Sequence, residues 1–284
     1  MTRYLITGAA GMLGQDLQSA LAGRDVTAVA RTGLDITDLA AVREAVTGFD
    51  VVINAAAYTA VDAAETQEDD AYAVNATGAR NLAIATAAVN AKLVQISTDY
   101  VFDGSGSAPY PENTAIDPIN AYGRTKAAGE QFVLSENPAG GYIVRTAWLY
   151  GAHGANFGRT MLMLAAGRET VSVVADQFGQ PTWTVDLAAQ IVAMLDADAP
   201  AGIYHGTNGG ETTWFGFARA VFESAGLDPE RVLPTDSAQF VRPAPRPSYS
   251  VLGHDAWAHA GLSPMRPWTD ALADAAKHGA FTPS

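Results

Sequence analysis

The sequence predicts an α/β fold: a Rossmann-type doubly wound parallel sheet with a smaller, discontinuous α/β domain beside it. Three observations carry that expectation. Short, continuous apolar runs alternate with stretches of helical spacing through the first half, the pattern of parallel strands buried on both faces. A glycine-rich turn, Gly8-Ala-Ala-Gly11-Met-Leu-Gly14, follows the first apolar run directly. All 14 prolines lie at Pro109 or beyond, so the chain before that point reads as uninterrupted regular structure.

Each element has its own signal. Tyr4–Thr7 is a short apolar strand, and Met12–Ala22 has helical spacing. Val26–Ala30 reads as the second strand, Leu39–Val46 as a helix and Asp50–Asn54 as the third strand. Ala71–Val89 reads as one long helix. Leu93–Ser97 is the fourth strand, Tyr122–Leu134 a helix and Tyr142–Thr146 the fifth strand. The second half is less regular. Phe157–Ala166, Val185–Leu195, Trp214–Ala225 and Pro267–Lys277 have helical spacing, and Val171–Val174 and Ile203–His205 read as short strands.

Composition bounds the function. At 284 residues with 48% apolar and 17% charged, the chain buries a sizeable core and is not disordered. The absence of cysteine excludes a disulfide scaffold, a thiolate metal site and a cysteine nucleophile. No apolar run is long enough to span a membrane. Met1–Gly14 lacks the basic-then-apolar layout of a signal peptide, so the expected location is cytoplasmic. A net charge of −13 repels nucleic acid and anionic lipid at long range. The expected partner is a small molecule, with no nucleic acid and no membrane.

The glycine turn sits between a strand and a helix, where it binds a dinucleotide. Gly8 permits the tight turn, Gly11 lets backbone approach a pyrophosphate, and Gly14 lets helix and strand pack closely. The helix N-terminus offers free N–H groups to phosphate. At the end of the second strand an acid would hold the adenosine ribose of NAD, but the sequence there reads Ala30-Arg31-Thr32. Arg31 suits the 2′-phosphate of NADP, and the alternative is a solvated surface arginine. Asp35 and Ile36 come next and are placed to border the adenine, with a turn acid as the alternative for Asp35. Asn54-Ala55-Ala56-Ala57-Tyr58-Thr59, after the third strand, offers small side chains on which a flat cofactor can lie. The alternative is close packing of strand on helix.

Tyr122 and Lys126 stand at i and i+4, on one face of a helix. An ammonium near a phenol favours the phenolate, which makes the tyrosine a usable acid or base. With three lysines and ten tyrosines, about 0.1 such pair is expected by chance. The fourth strand ends in Ser97-Thr98-Asp99-Tyr100, and residues at the carboxyl end of a parallel strand face the ligand crevice. Thr98 is placed to hydrogen-bond a substrate oxygen, or to cap a turn.

These residues resemble a known family. The glycine turn, Asn54-Ala-Ala-Ala57, Val74-Asn-Ala-Thr-Gly78, Ser97-Thr-Asp-Tyr-Val-Phe102 and Tyr122-x-x-x-Lys126 look like an extended short-chain dehydrogenase/reductase. Ser97–Gly104, Arg145-Thr-Ala-Trp148, Asp176–Thr182 and Arg242–Ser250 are similar to the dTDP-4-dehydrorhamnose reductase family. The resemblance covers nearly the whole chain in motif order. It implies that Tyr122 is the general acid, that Lys126 holds the nicotinamide ribose and tunes Tyr122, and that Thr98 takes the usual serine/threonine place. Gly8, Gly11, Met12 and Leu13 would touch the pyrophosphate, and Ala57, Tyr58 and Thr59 would line the cofactor near its ribose. Asp99, Tyr100 and Trp148 would meet the sugar, and Arg246 the nucleotide diphosphate. The cofactor implied is NADPH, with NADH as an alternative, the substrate a dTDP-sugar, and the assembly a homodimer. Residues 1–147 plus about 176–205 would form the NAD(P)-binding domain, and about 148–175 plus 206–284 the sugar-nucleotide domain. Some members of the family use a divalent ion to dimerise, but no ligand cluster in this sequence carries that over.

Competing readings remain for several of these residues. The five histidines have no zinc-like spacing and read as structural or exposed. Trp148 is either a core tryptophan or a platform for a sugar face. Arg242 and Arg246 lie in the stiff Pro243-Ala-Pro-Arg-Pro247 segment, which either presents them to a diphosphate or holds them in inter-domain salt bridges. Two other functions compete with reduction. A sugar-nucleotide epimerase or dehydratase of the same superfamily oxidises the sugar transiently and regenerates NAD; a dehydratase needs an acid pair after the strand-four threonine, and here Thr98-Asp99 is followed by Tyr100. A non-catalytic binding subunit need not keep Thr98, Tyr122 and Lys126 together.

Overall fold

The computed structural model describes residues 1–281. Its centre is a six-stranded sheet. The strands are β1 (Arg3–Thr7), β2 (Asp25–Val29), β3 (Val51–Asn54), β4 (Lys92–Thr98), β5 (Gly141–Thr146) and the edge strand Gly202–His205. Their order is Gly202–His205, β5, β4, β3, β1, β2, and every neighbouring pair is parallel. All residues of β3 and β5 are buried, as a sheet covered on both faces demands.

Alternate side chains of one strand serve different cores. Tyr4 and Ile6 of β1 pack with Leu13 and Leu17 of α1 (Met12–Ala20) and with Leu187 and Ile191 of the helix Thr184–Asp196. Leu5, between them, packs on the other face with Val42, Leu82 and Val133. Each fully buried side chain of this size contributes about 1.5–3 kcal/mol. A separate core gathers Tyr150, Met161, Val173, Phe217, Phe222 and Leu272 between the helices Phe157–Gly167, Trp214–Ser224 and Trp268–Lys277. Between the last two of these helices the chain returns to the sheet, since Trp257 and Met265 pack in the core of α1.

The expected elements are present with ends shifted by a residue or two, with one exception. The stretch expected as a single helix over Ala71–Val89 begins earlier, at Glu68–Tyr72. It passes through a π-helical turn at Ala73–Gly78 before continuing as Ala79–Ala88. Apolar period does not report such a turn, whose cause is tertiary: it carries Asn75, whose side chain bonds to the backbone of Tyr58. The sequence reading also omits the short helices Val61–Ala64 and Asp255–His259, and the strand Val232–Thr235 that pairs parallel to Val171–Val174. These pieces are too short to show a period and owe their form to neighbours.

Candidate active site

The strands' carboxyl ends build the site. Thr7 of β1 donates to Asn54 Oδ1 at 2.6 Å, and Asn54 Nδ2 donates to Gln95 of β4 at 2.7 Å. Asn54 Oδ1 also accepts from the Ala56 N–H at 3.1 Å, which turns the chain into the Ala55–Thr59 segment. Asn75 Oδ1 accepts from Tyr58 N–H at 2.9 Å, while its amide donates to the Tyr58 carbonyl and to Thr125.

The glycine turn presses against this segment. Gly8 has φ +71°, and a Cβ there would lie 2.5 Å from the Ala55–Ala56 backbone; one at Gly14 would lie 2.3 Å from the Gly8 carbonyl. Only glycine meets both demands. Gly11 caps α1 without a side-chain acceptor, so the first-turn N–H groups remain open to a ligand. These features fit a dinucleotide.

Two adjoining cavities share Gly11, Ala55, Ala57 and Thr59. One, of about 500 Å³, takes in Met12, Leu13, Gly14, Thr98, Asp99, Tyr100, Tyr122, Lys126 and Trp148. The other, of about 450 Å³, takes in Gly8, Arg31, Asp35, Ile36, Ala56 and Tyr58. A third, of about 260 Å³, meets the first at Tyr100 and Trp214 and contains Arg242 and Arg246. All residues singled out from the sequence therefore lie along one connected groove. A larger depression, of about 740 Å³, lies at the strands' amino ends, but its Arg24 and Lys92 are already paired with Asp196 and Asp198.

The helix Ala121–Glu136 delivers Tyr122 and Lys126. Asn120 caps it by accepting from Gly123 N–H at 2.7 Å, and Glu65 accepts from the Ala121 N–H at 2.8 Å. A buried ion pair at 2.7 Å joins Glu130 of this helix to Arg145 of β5. Lys126 is buried and donates to the Ile96 carbonyl. Burial lowers its pKa to about 8, partly opposed by Glu130.

Tyr122 departs from the sequence expectation. Burial pushes its phenol up to about 12, and the Asp99 charge adds to that, while the neighbouring Thr98 hydroxyl works the other way. Lys126 exerts no such pull here, because its ammonium is turned to Ile96. Tyr122 is thus held protonated, the form a proton donor needs.

Asp99 is buried, not displayed to a ligand: its oxygens accept from Thr98 Oγ at 2.9 Å and from Ser250 Oγ at 2.6 Å. Burial raises its pKa to about 6. Tyr100 packs edge-on to Tyr122 at 6.0 Å, and burial pushes its phenol up. Trp148 has φ +46°, rare for a bulky residue, and stacks on Trp214 at 3.6 Å. Arg31 is exposed, and its charge helps hold the Asp35 carboxyl down behind the stronger hydrogen bonds from Thr37. Asp35 therefore both closes a turn and borders the cavity. Arg242 and Arg246 both pair with Asp62.

Sequence reasoning missed several contributors. Ser97 and Thr146 line the cavity of Thr98 and Tyr122 with buried hydroxyls that have no partner among the described residues. The strand-end argument made for Thr98 applies equally to them. Trp214 and Asp62 carry no local signal, and Asn75, though part of the Val74–Gly78 motif, shows its role only in its contacts with Tyr58 and Thr125. Among the described residues no cluster of three His, Asp or Glu side chains is arranged to hold a metal ion.

Comparison with known proteins decides the family. Residues 2–281 match the family described as the RmlD substrate binding domain. The chain belongs to this family. A dTDP-4-dehydrorhamnose reductase of Streptomyces griseus is 54% identical over 280 residues, covering 96% of this chain and 92% of the relative. A dTDP-4-keto-6-deoxy-D-glucose reductase of Streptomyces niveus is 53% identical, covering 96% of both chains. Among solved RmlD-family structures, a Bacillus anthracis dTDP-4-dehydrorhamnose reductase in complex with NADP superposes with a TM-score of 0.94. It is 42% identical and is covered completely, with 98% of this chain covered. No helix among the described residues is long and apolar enough to cross a membrane.

Proposed function

We propose that this chain reduces the C4 ketone of dTDP-4-dehydro-6-deoxy-L-mannose (dTDP-4-dehydrorhamnose) to dTDP-L-rhamnose. NADPH is the preferred cofactor, and NADH the weaker one. The observation that carries this reading is the meeting of Thr98, Tyr122 and Lys126 at a cavity that adjoins the glycine turn and the Arg31 pocket.

A bound nicotinamide supplies the hydride. Tyr122, protonated at neutral pH, donates to the ketone oxygen as negative charge develops there. Thr98 orients that oxygen and Tyr122. Lys126 holds the nicotinamide ribose, its ammonium fixed by the Ile96 carbonyl. Met12 and Leu13 border the pyrophosphate at the start of α1, and Ala57, Tyr58 and Thr59 the ribose. Trp148, stacked on Trp214, borders the cavity that would take the sugar, while Tyr100 and Arg246 stand at the passage towards the diphosphate.

The domain division about residue 147, with 176–205 returning to the cofactor side, belongs to this reading. So do a homodimer, a cytoplasmic location and no nucleic-acid partner, the last favoured by the −13 charge. The name of the Streptomyces niveus relative favours a second substrate, the 4-keto sugar before epimerisation. One assay separates the two. The protein is mixed with dTDP-4-keto-6-deoxyglucose, with and without a 3,5-epimerase, and oxidation of NADPH or NADH is followed. Turnover that requires the epimerase supports the first reading, turnover without it the second, and no oxidation in either mixture defeats both.

A further inference from the structure

Asp62 lies on the short helix Val61–Ala64, just beyond Thr59 and Val61, which line the catalytic cavity. Its carboxylate binds two guanidinium groups from the proline-rich segment. Arg242 Nε donates to Oδ2 at 2.9 Å and Arg242 Nη2 to the same oxygen, while Arg246 Nη1 donates to Oδ1. The Ala244 N–H points to Oδ1 at 3.3 Å, and Arg246 Nη1 also reaches the Ala244 carbonyl at 2.6 Å. Burial alone would push the Asp62 carboxyl up, but Arg246 and Arg242 outweigh it and bring it to about 2. The carboxylate is therefore ionised at any working pH.

An exposed ion pair normally contributes little. This one has a different design. Arg246 is 16% exposed, and both arginines border the third cavity, which meets the catalytic one at Tyr100. Two neighbouring guanidinium groups repel each other, and the carboxylate between them removes that obstacle. The trio keeps one net positive charge. Arg246 Nε and Nη2 and Arg242 Nη1 are not used on Asp62. Pro243 and Pro245 restrict the backbone between the arginines, so their spacing is set in advance.

We propose that Asp62 is a positioning residue for the diphosphate of the sugar nucleotide, holding Arg242 and Arg246 as a single fork at the junction of the two cavities. This rests on the reading of Arg246 as a diphosphate contact. It adds that the two arginines act as a unit and that the cofactor-side helix sets their aim.

Steady-state kinetics of the full chain tests it. Asp62→Asn keeps the side chain's shape and removes its charge. It should raise KM for the dTDP-sugar about tenfold, with kcat and the KM for NADPH within about twofold of wild type. Because Asp62 acts through Arg246, Asp62→Asn combined with Arg246→Ala should resemble Arg246→Ala alone within about twofold. An unchanged or lowered KM in Asp62→Asn would mean that the carboxylate competes with the diphosphate, and would overturn the proposal. So would fully additive losses in the double variant. Should Asp62→Asn not fold, the pair Arg242→Gln and Arg246→Ala decides: a fork requires non-additive effects on KM, and additive ones refute it. If Arg246→Ala leaves KM unchanged, the reading of Arg246 itself fails, a result distinct from failure of the fork alone.

Discussion

Tyr122 shows how one side chain is set for one direction of chemistry. Burial and the nearby Asp99 charge keep its proton on, the form required by the acid role proposed for it. Tyr122→Phe keeps the ring and its edge contact with Tyr100 but removes the proton. Turnover should fall on the order of 10²–10⁴-fold while NADPH binding persists; near wild-type turnover would refute the assignment. Arg31 poses the other question at this scale. It is exposed, beside Asp35, and faces the adenine end of the groove. Exposure weakens an arginine–phosphate contact, so the preference for NADPH should be roughly tenfold, about 1.4 kcal/mol. Measuring kcat/KM for both cofactors in wild type and Arg31→Ala settles this. A wild type that favours NADH, or equal losses with both cofactors, would leave Arg31 as a surface residue.

At the scale of elements, local chemistry explains what the sequence discloses and what it hides. The turn at Gly8–Gly14 was legible because its glycines stand at fixed spacing between a strand and a helix, although the close approach of Gly8 to Ala55 is made across the fold. Tyr122 and Lys126 were legible because a helix puts i and i+4 on one face. The direction of the Tyr122 shift was not, because it depends on Asp99 and on Lys126 turning to Ile96, contacts made across the fold. The π turn at Ala73–Gly78 was hidden for the same reason, and it has a measurable role. Asn75 holds both backbone groups of Tyr58 and also reaches Thr125. Asn75→Ala leaves those groups without partners, at about 1–3 kcal/mol for each that stays buried. Urea unfolding should show a loss of that order, and KM for NADPH should rise several-fold because Tyr58 lines the cavity proposed to take the cofactor. A loss of stability with NADPH KM unchanged would separate the π turn from cofactor binding.

For the whole molecule, two buried groups on different elements should oppose each other as pH falls. His205, on the edge strand, lies between the Gly253 carbonyl at 2.8 Å and Arg145 at 3.4 Å. Burial first, and then the Arg145 charge, hold its pKa down to about 3. In the unfolded chain it takes a proton near 6.5, so below that pH the unfolded state binds more protons and stability is lost as pH falls towards 3. Asp99 has the opposite sign. Its folded pKa is about 6 against 3.8 unfolded, so between those values the native state binds more protons and stability rises as pH falls. Between pH 6 and 5 the two oppose each other, each by about 1 kcal/mol over that unit. Removing either should reveal the other. Over that interval Asp99→Asn should make stability fall more steeply on acidification than in wild type, by about 1 kcal/mol. His205→Asn, which can keep the bond to Gly253, should shift the slope by a similar amount in the opposite direction. Urea unfolding at pH 6, 5.5 and 5 reads both slopes. Curves parallel to wild type in both variants would show that neither group's protonation is linked to folding in this range.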